Sequence, residues 1–327
     1  MRVLVTGAAG YIGSAFAAKL ISCGHEVVAV DNLRFGGESL LPIWGHPLFS
    51  FHRFDLASDP GEIPPLLSGA GFDAIVHLAA IVGDPACKAE PGVAEAVNHA
   101  ATCNLAKVAS ENGVPRFVFS STCSNYGCSG HPDELLDESA ELRPQSHYAD
   151  LKVRAEQFLL NGCNWKDGTA PTVLRFATAH GVSPRMRLDL TVNEFAATLA
   201  SGKVLDVYNP QAWRPYCHVQ DICRALLLVL EAPADLVAFA TFNVGDTSEN
   251  YRKKMIVDAA KRLWPRADIR FRSGPDDPRD YRVDFSKIAT TLGFRAVHKV
   301  SDTIAHISQM VSMGLLPNPS DGRFRNA

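Results

Sequence analysis

Residues 3–13 read Val3-Leu4-Val5-Thr6-Gly7-Ala8-Ala9-Gly10-Tyr11-Ile12-Gly13. Val3-Leu4-Val5 is an apolar run of the kind that makes a buried strand, and the spacing of Phe16, Leu20 and Ile21 predicts a helix over 14–23. A strand, a glycine turn and a helix in that order open a dinucleotide-binding βαβ unit. Gly7 permits the tight turn, Gly10 lets the main chain approach a pyrophosphate, and Gly13 lets the helix pack closely on the strand. The pyrophosphate then rests on free N–H groups at the positive end of the helix, so Tyr11 and Ile12 join the glycines as candidate cofactor residues. The next strand, Val27-Val28-Ala29-Val30-Asp31, ends on a carboxylate. A carboxylate there accepts hydrogen bonds from both adenosine ribose hydroxyls and repels a 2′-phosphate, which favours NAD over NADP. Asn32 lies beside it and is counted with the cofactor.

Working outward, the chain alternates strands and helices. A loop over 32–47 carries Gly36-Gly37 and two prolines, and a strand over 49–54 ends at Asp55-Leu56. Further strands are predicted over 72–77, 116–120 and 172–176, with long helices over 92–112 and 146–160. This alternation implies an α/β fold, a Rossmann-type doubly wound parallel sheet covered on both faces. The expected NAD-binding domain is 1–176. Beyond it the rhythm changes, and 177–327 is expected to form a smaller α+β substrate lobe, with segments around 218–244 returning to the sheet. The tail 317–327 is polar and rich in glycine, proline and asparagine, and little order is expected of it.

The bulk properties exclude several function classes. At 327 residues, 46% hydrophobic and 20% charged, the composition is that of an ordinary soluble globular protein. A net charge of −3 gives no reason to expect nucleic acid or a membrane surface as partner. The eight cysteines include no CxxC pair, so they read as reduced packing residues, Cys123 and Cys217 among them. The start of the chain has no leader pattern, and no apolar run approaches the roughly 18 residues of a membrane span, so a cytoplasmic location is expected. His77, His180 and His218 are too scattered to suggest a metal site, and no metal is expected. The 276–280 acidic cluster reads as a charged loop.

Ligands of open parallel sheets bind at the carboxyl ends of the strands. The strand ending at Ser120 runs into Ser121-Thr122-Cys123-Ser124-Asn125-Tyr126-Gly127, a dense set of hydroxyls at that edge. About twenty residues later comes Tyr148-Ala149-Asp150-Leu151-Lys152. Residues four apart share a helix face, so the Tyr148 phenol and the Lys152 ammonium project together. A free tyrosine has a pKa near ~10, about 4 kcal/mol from serving as a base at neutral pH. A nearby cation and a positively charged nicotinamide ring close much of that gap. The Thr122 hydroxyl can hydrogen-bond the same substrate oxygen.

With these residues in place the chain resembles the extended short-chain dehydrogenase/reductases, in the NAD-dependent epimerase/dehydratase family that acts on nucleotide sugars. The resemblance covers about residues 1–306. The family's TGxxGxxG is Thr6 to Gly13, its YxxxK is Tyr148 to Lys152, and its catalytic serine or threonine is Thr122. Its Asp-Leu adenine contact matches Asp55-Leu56. Its strand-end HLAA matches His77, Leu78, Ala79 and Ala80, and a cofactor-side asparagine on the following helix matches Asn98. Ser120, Tyr148 and Lys152 then also border the cofactor. The family's RxYxHVxD element is Arg214 to Asp221, whose arginine usually meets the nucleotide diphosphate. A second diphosphate arginine is Arg272 or Arg279. Ser124 and Asn125 are assigned to the sugar, with Thr178 standing where epimerases commonly carry asparagine. Arg185, Arg187 and Asn193 belong to a segment resembling a branch that includes sugar-nucleotide C4 dehydrogenases, and the resemblance makes them candidate substrate contacts.

The resemblance implies NAD as cofactor, a nucleoside-diphosphate sugar as substrate and a homodimer built on the 92–112 and 146–160 helices. Dehydratases and decarboxylases of the family carry acidic residues directly after the catalytic threonine, and this chain has Cys123-Ser124. The expected activity is therefore 4-epimerisation of a nucleotide sugar, with a net C4 dehydrogenase or ketoreductase as the alternative and 4,6-dehydration behind both. A non-catalytic NAD-binding sensor is the reading from a different class, and intact Thr122, Tyr148 and Lys152 argue against it.

Overall fold

The computed structural model describes residues 1–131, 134–272 and 279–326. Five strands open the chain: β1 (Arg2–Thr6), β2 (Glu26–Asp31), β3 (Phe49–Arg53), β4 (Ala74–His77) and β5 (Arg116–Thr122). With Ala170–Phe176 and Ala240–Val244 they form one seven-stranded sheet in the order β3-β2-β1-β4-β5, then Ala170–Phe176, then Ala240–Val244. Every neighbouring pair is parallel. The strand order reverses beside β1, where Thr6 is in register with Val30 on one side and His77 on the other. The crevice at that reversal is where an open α/β sheet takes its ligand.

Alternation along β1 sends Val3 and Val5 into one core and Leu4 into another, so each face of the sheet is covered. On the first face Phe16 and Leu20 of helix α1 (Tyr11–Ser22) pack in the same core as Ile222 and Leu226 of helix Val219–Glu231. On the second, Leu105 and Ala109 join Leu159 and the strand residues Val28, Ile75 and Phe117. The segment 218–244 thus lies on the sheet, as a covering helix and an edge strand.

The glycine turn depends on close approach. Gly7 has φ +69°, and a Cβ there would lie 2.7 Å from the Ala79 nitrogen. A Cβ on Gly13 would lie 2.1 Å from the Gly7 carbonyl oxygen. Both contacts are far inside van der Waals distance, so any side chain at either position forces the turn apart.

The second lobe has its own core, which includes Met186, Leu188, Phe195, Tyr216, Ile256 and Ile304. Its three-stranded sheet runs Asn250–Arg252, Trp213–His218, Thr178–His180. Three local expectations need correction. The 92–112 helix is interrupted by a π-turn, Ala96–Ala100, between Pro91–Glu95 and Ala101–Glu111. The loop after Asp31 contains a 3₁₀ helix, Glu38–Ile43. The polar tail is docked: the Leu188 amide donates to the Phe324 carbonyl at 2.9 Å, and the Asn326 amide donates to Asp189 Oδ2 at 3.1 Å. Phe324 packs against the lobe core, so backbone bonds and one aromatic ring fix a segment whose composition reads as loose.

Candidate active site

A cavity of about 780 Å³ runs from the glycine turn to the second lobe. Asp31, Asn32, Asp55 and Leu56 line one end, and Gly7, Gly10, Tyr11, Ile12 and Gly13 form its floor together with Leu78, Ala79 and Ala80. Ser120, Thr122, Ser124, Tyr148 and Lys152 line the middle, Thr178, Arg187, Arg214 and Arg279 the far wall, and Arg185 lies nearer the turn, against Phe35. A helix His147–Gln157 carries Tyr148 and Lys152 to this place. Ser146 caps it, its side chain accepting from the Ala149 amide at 3.3 Å.

The polar groups there are held by burial and by one another. Lys152 is 2% exposed and donates from Nζ to the Ser120 carbonyl at 2.8 Å, with its ammonium 4.6 Å from the Phe119 ring centre. Burial pulls its pKa down to about 8. Burial pushes the Tyr148 phenol above its ordinary value; Cys87 and Asp84 push the same way and the Arg187 guanidinium opposes them. Thr122 Oγ1 accepts from the Ser124 amide at 3.1 Å and is thereby fixed at the end of β5.

The arrangement suits a dinucleotide. No side chain caps the N-terminus of α1, leaving its amide end to an anion from the ligand. Asp31 accepts from the Ala9 and Leu33 amides at 2.9 and 2.8 Å, which orients the carboxylate while leaving it acceptor capacity.

Five predicted residues play other parts. Asn98 is fully buried behind the cavity, accepting from the Ile81 amide at 2.8 Å and donating to the Ile81 carbonyl at 2.9 Å. It clamps the loop after β4, because the π-turn carries its side chain to that loop. Asn125 is buried and donates to Glu156 Oε1 at 2.8 Å. Asn193 donates to the Arg187 carbonyl at 2.8 Å and accepts from the Gly181 amide at 2.9 Å. Tyr11 borders the cavity, yet its hydroxyl donates to the Gly181 carbonyl at 2.6 Å and ties α1 to the second lobe. Arg272 lies on an outer strand, paired with Asp206 at 2.7 Å, so of the two alternatives Arg279 is the one on the cavity wall. In the 276–280 cluster, residues 276–278 lie outside the described residues.

Sequence reasoning missed the ion pair beneath the site. Glu156, one turn beyond Lys152, is 2% exposed and faces Arg175, 5% exposed, at 2.7 Å. Ser121 Oγ and Asn125 Nδ2 donate to the same carboxylate, and Arg175 also donates to the Tyr126 hydroxyl at 3.0 Å. An arginine inside the apolar strand Thr172-Val173-Leu174-Arg175-Phe176 was the signal available, since a charge so placed requires a partner. Removing one member leaves a buried charge unpaired. Glu156→Gln is expected to cost about 3 kcal/mol in urea denaturation.

The same ground plan occurs in known proteins. The chain is 30% identical over 315 residues to a dTDP-glucose 4,6-dehydratase of Streptomyces griseus, covering 93% of this chain and 92% of the relative. It is 27% identical over 325 residues to a UDP-glucose 4-epimerase of Lactobacillus helveticus, covering 93% and 95%. A crystal structure of a dTDP-glucose 4,6-dehydratase from Streptomyces venezuelae, solved with NAD bound, superposes with a TM-score of 0.82 at 26% identity, over 96% of this chain and 97% of that one. The family model described as NAD dependent epimerase/dehydratase matches residues 3–245, from β1 past the last strand of the sheet. With the glycine turn, the strand order and the Tyr148–Lys152 helix all inside that span, the chain belongs to the NAD-dependent epimerase/dehydratase family, and its cofactor is NAD.

Proposed function

We propose that this chain interconverts nucleoside-diphosphate sugars that differ at C4, through a 4-keto sugar that is reduced on its opposite face. One observation carries the reading: Thr122, Tyr148 and Lys152 line one stretch of the cavity, and no carboxylate follows Thr122. Cys123, which stands there, is 1% exposed and donates from Sγ to the Arg175 carbonyl at 3.2 Å. Burial drives its pKa far above that of a free thiol, so it is a packing residue and no acid for expelling a hydroxyl. Of the carboxylates toward the sugar end, Asp84 is paired with Arg279 at 3.0 Å and Asp189 with Arg187 at 2.8 Å.

When bound, NAD supplies a hydride acceptor at its nicotinamide ring and a positive charge beside the Tyr148 phenol. Asp31 receives the adenosine ribose hydroxyls, and Asp55-Leu56 border the adenine. Tyr148 accepts the C4 hydroxyl proton, and Thr122 hydrogen-bonds the same oxygen. Lys152 holds a cation between the Ser120 carbonyl and the nicotinamide ribose. Arg214 and Arg279 receive the diphosphate. Ala177, Thr178 and Ala179 on the facing wall are small, which leaves a keto sugar room to turn. Thr178 in place of the asparagine usual in epimerases supports the second reading, a net C4 dehydrogenase.

The test is incubation with UDP-, dTDP-, GDP- and CDP-sugars, followed by absorbance at the NADH band and by sugar NMR. Interconversion without net NADH, with a C4-deuterium label carried into product, is the expected result. Stoichiometric NADH establishes the dehydrogenase, and loss of the C6 hydroxyl establishes the dehydratase.

A further inference from the structure

Arg185 lines the cavity and is 7% exposed. It donates to two carbonyls, Met186 at 3.4 Å from Nη1 and Arg325 at 2.9 Å from Nη2. Among the described residues no carboxylate forms an ion pair with it; the nearby Asp189 is engaged by Arg187. A buried guanidinium with five N–H donors and no ion pair of its own is costly, and the cost is recovered when an anion arrives. Burial and the neighbouring Arg187 both work against its charge, and the Asp189 carboxylate, held by Arg187, opposes them.

The surroundings say which anion. The Arg185 amide donates to Ser14 Oγ at 3.3 Å, and Ser183 Oγ donates to the Tyr11 carbonyl, so the main chain at 183–185 is fastened to the first turn of α1. The guanidinium lies 4.9 Å from the ring centre of Phe35, four residues beyond Asp31. It therefore spans from the anion-binding end of α1 to the loop beside the adenosine ribose, and the group joining those two places in NAD is the pyrophosphate. The docked segment 324–326 braces it from behind through the Arg325 carbonyl.

We propose that Arg185 is a ligand of the NAD pyrophosphate, and that Phe35, Arg185 and the segment 324–326 form a strap across the cofactor. The second lobe then contributes a charge to cofactor binding, and the cofactor is retained through turnover. The strap places Arg185 at the cofactor, whereas the segment resemblance implies a contact with the substrate. It rests on NAD as cofactor and is independent of whether the product is an epimer or a ketone.

The test compares wild type, Arg185→Gln and Arg185→Lys by calorimetry, with NAD, ADP-ribose and adenosine as probes. Arg185→Gln is expected to weaken NAD and ADP-ribose by about 30-fold, the worth of a charge-assisted hydrogen bond, and to leave adenosine within twofold. Arg185→Lys recovers at least half of the loss on a logarithmic scale. The Tm of the cofactor-free protein is expected to hold or rise, because an unpaired buried charge has been removed. NAD and ADP-ribose affinities within twofold of wild type overturn the proposal. Should Arg185→Gln fail to fold, Phe35→Ala tests the strap alone: NAD dissociation is expected to accelerate about tenfold, and an unchanged rate overturns it.

Discussion

Tyr148→Phe is expected to lower kcat by about 10³-fold, the middle of the range for a positioned acid–base group, while NAD affinity stays within twofold. The substitution removes one oxygen and keeps the ring, so the packing of the catalytic helix is preserved. The size of the loss follows from the site's electrostatics. Without cofactor, burial and the nearby Cys87 and Asp84 hold the phenol protonated, and Arg187 alone among its named neighbours favours the phenolate. In the proposed reaction, proton acceptance at Tyr148 is thus coupled to the positive charge that comes with the oxidised cofactor, and the variant lacks the phenol that accepts it. Thr122 is tied to the Ser124 amide and cannot act as a base. Single-turnover kinetics on the NAD-loaded variant provide the measurement. A loss below tenfold removes Tyr148 from the proton-transfer role and leaves it a binding residue.

The parts of the site that were legible in the sequence are those whose chemistry is local. Gly7, Gly10 and Gly13 announce a turn because their neighbours are within a few residues, and Tyr148 and Lys152 share a helix face by spacing alone. Asp31 is legible because a strand end is a fixed place in a parallel sheet. Arg185 is different: its partners are Phe35 and Arg325, 150 and 140 positions away, and a stretch rich in arginine and proline looks the same whether solvated or buried. The docking of 324–326 was illegible for a related reason. Apart from the Phe324 ring, its anchors are a backbone carbonyl and a backbone amide, which every residue but proline possesses, and composition carries no record of them. Asn98 is known from the resemblance alone, and its bonds to the Ile81 main chain, made from a π-turn, have no signature in the sequence.

Lowering the pH from 7 to 5 is expected to remove up to about 6 kcal/mol of folding stability, a large fraction of what a domain usually has. Three buried histidines cause it. Thr102 Oγ1 donates to the Asn98 carbonyl and so accepts from His77 Nε2, 2.9 Å away. Thr6 Oγ1 accepts from the Ala79 amide and has its own hydrogen free to donate to His77 Nδ1, 2.7 Å away, when the ring is neutral. That wiring suits a neutral ring, and burial, with the Lys152 charge, holds its pKa at about 3. At the seam between the lobes, His180, His218 and His298 pack together, with ring centres 5.4 Å and 4.4 Å apart. His218 Nδ1 accepts from the Gln220 amide at 3.1 Å, which again requires a neutral acceptor. Burial and the neighbouring imidazoles hold His180 at about 3 and His218 at about 4, although the Asp221 carboxylate pulls His218 the other way. In each case the folded-state pKa lies below the unfolded value near 6.5. The stabilising contribution is therefore complete above about pH 6.5 and is lost as the pH falls toward 3–4, because the unfolded chain takes up protons that the folded chain refuses. At pH 5 each histidine contributes about 2 kcal/mol of this loss, and the carboxyls of Glu138, Glu194 and Glu249, raised by burial, take up protons in the fold and offset part of it. Urea denaturation at the two pH values measures it. His77→Leu is expected to lower stability at both and to shrink the difference by about a third; a difference below about 2 kcal/mol in the wild-type chain means that these rings are protonated in the fold.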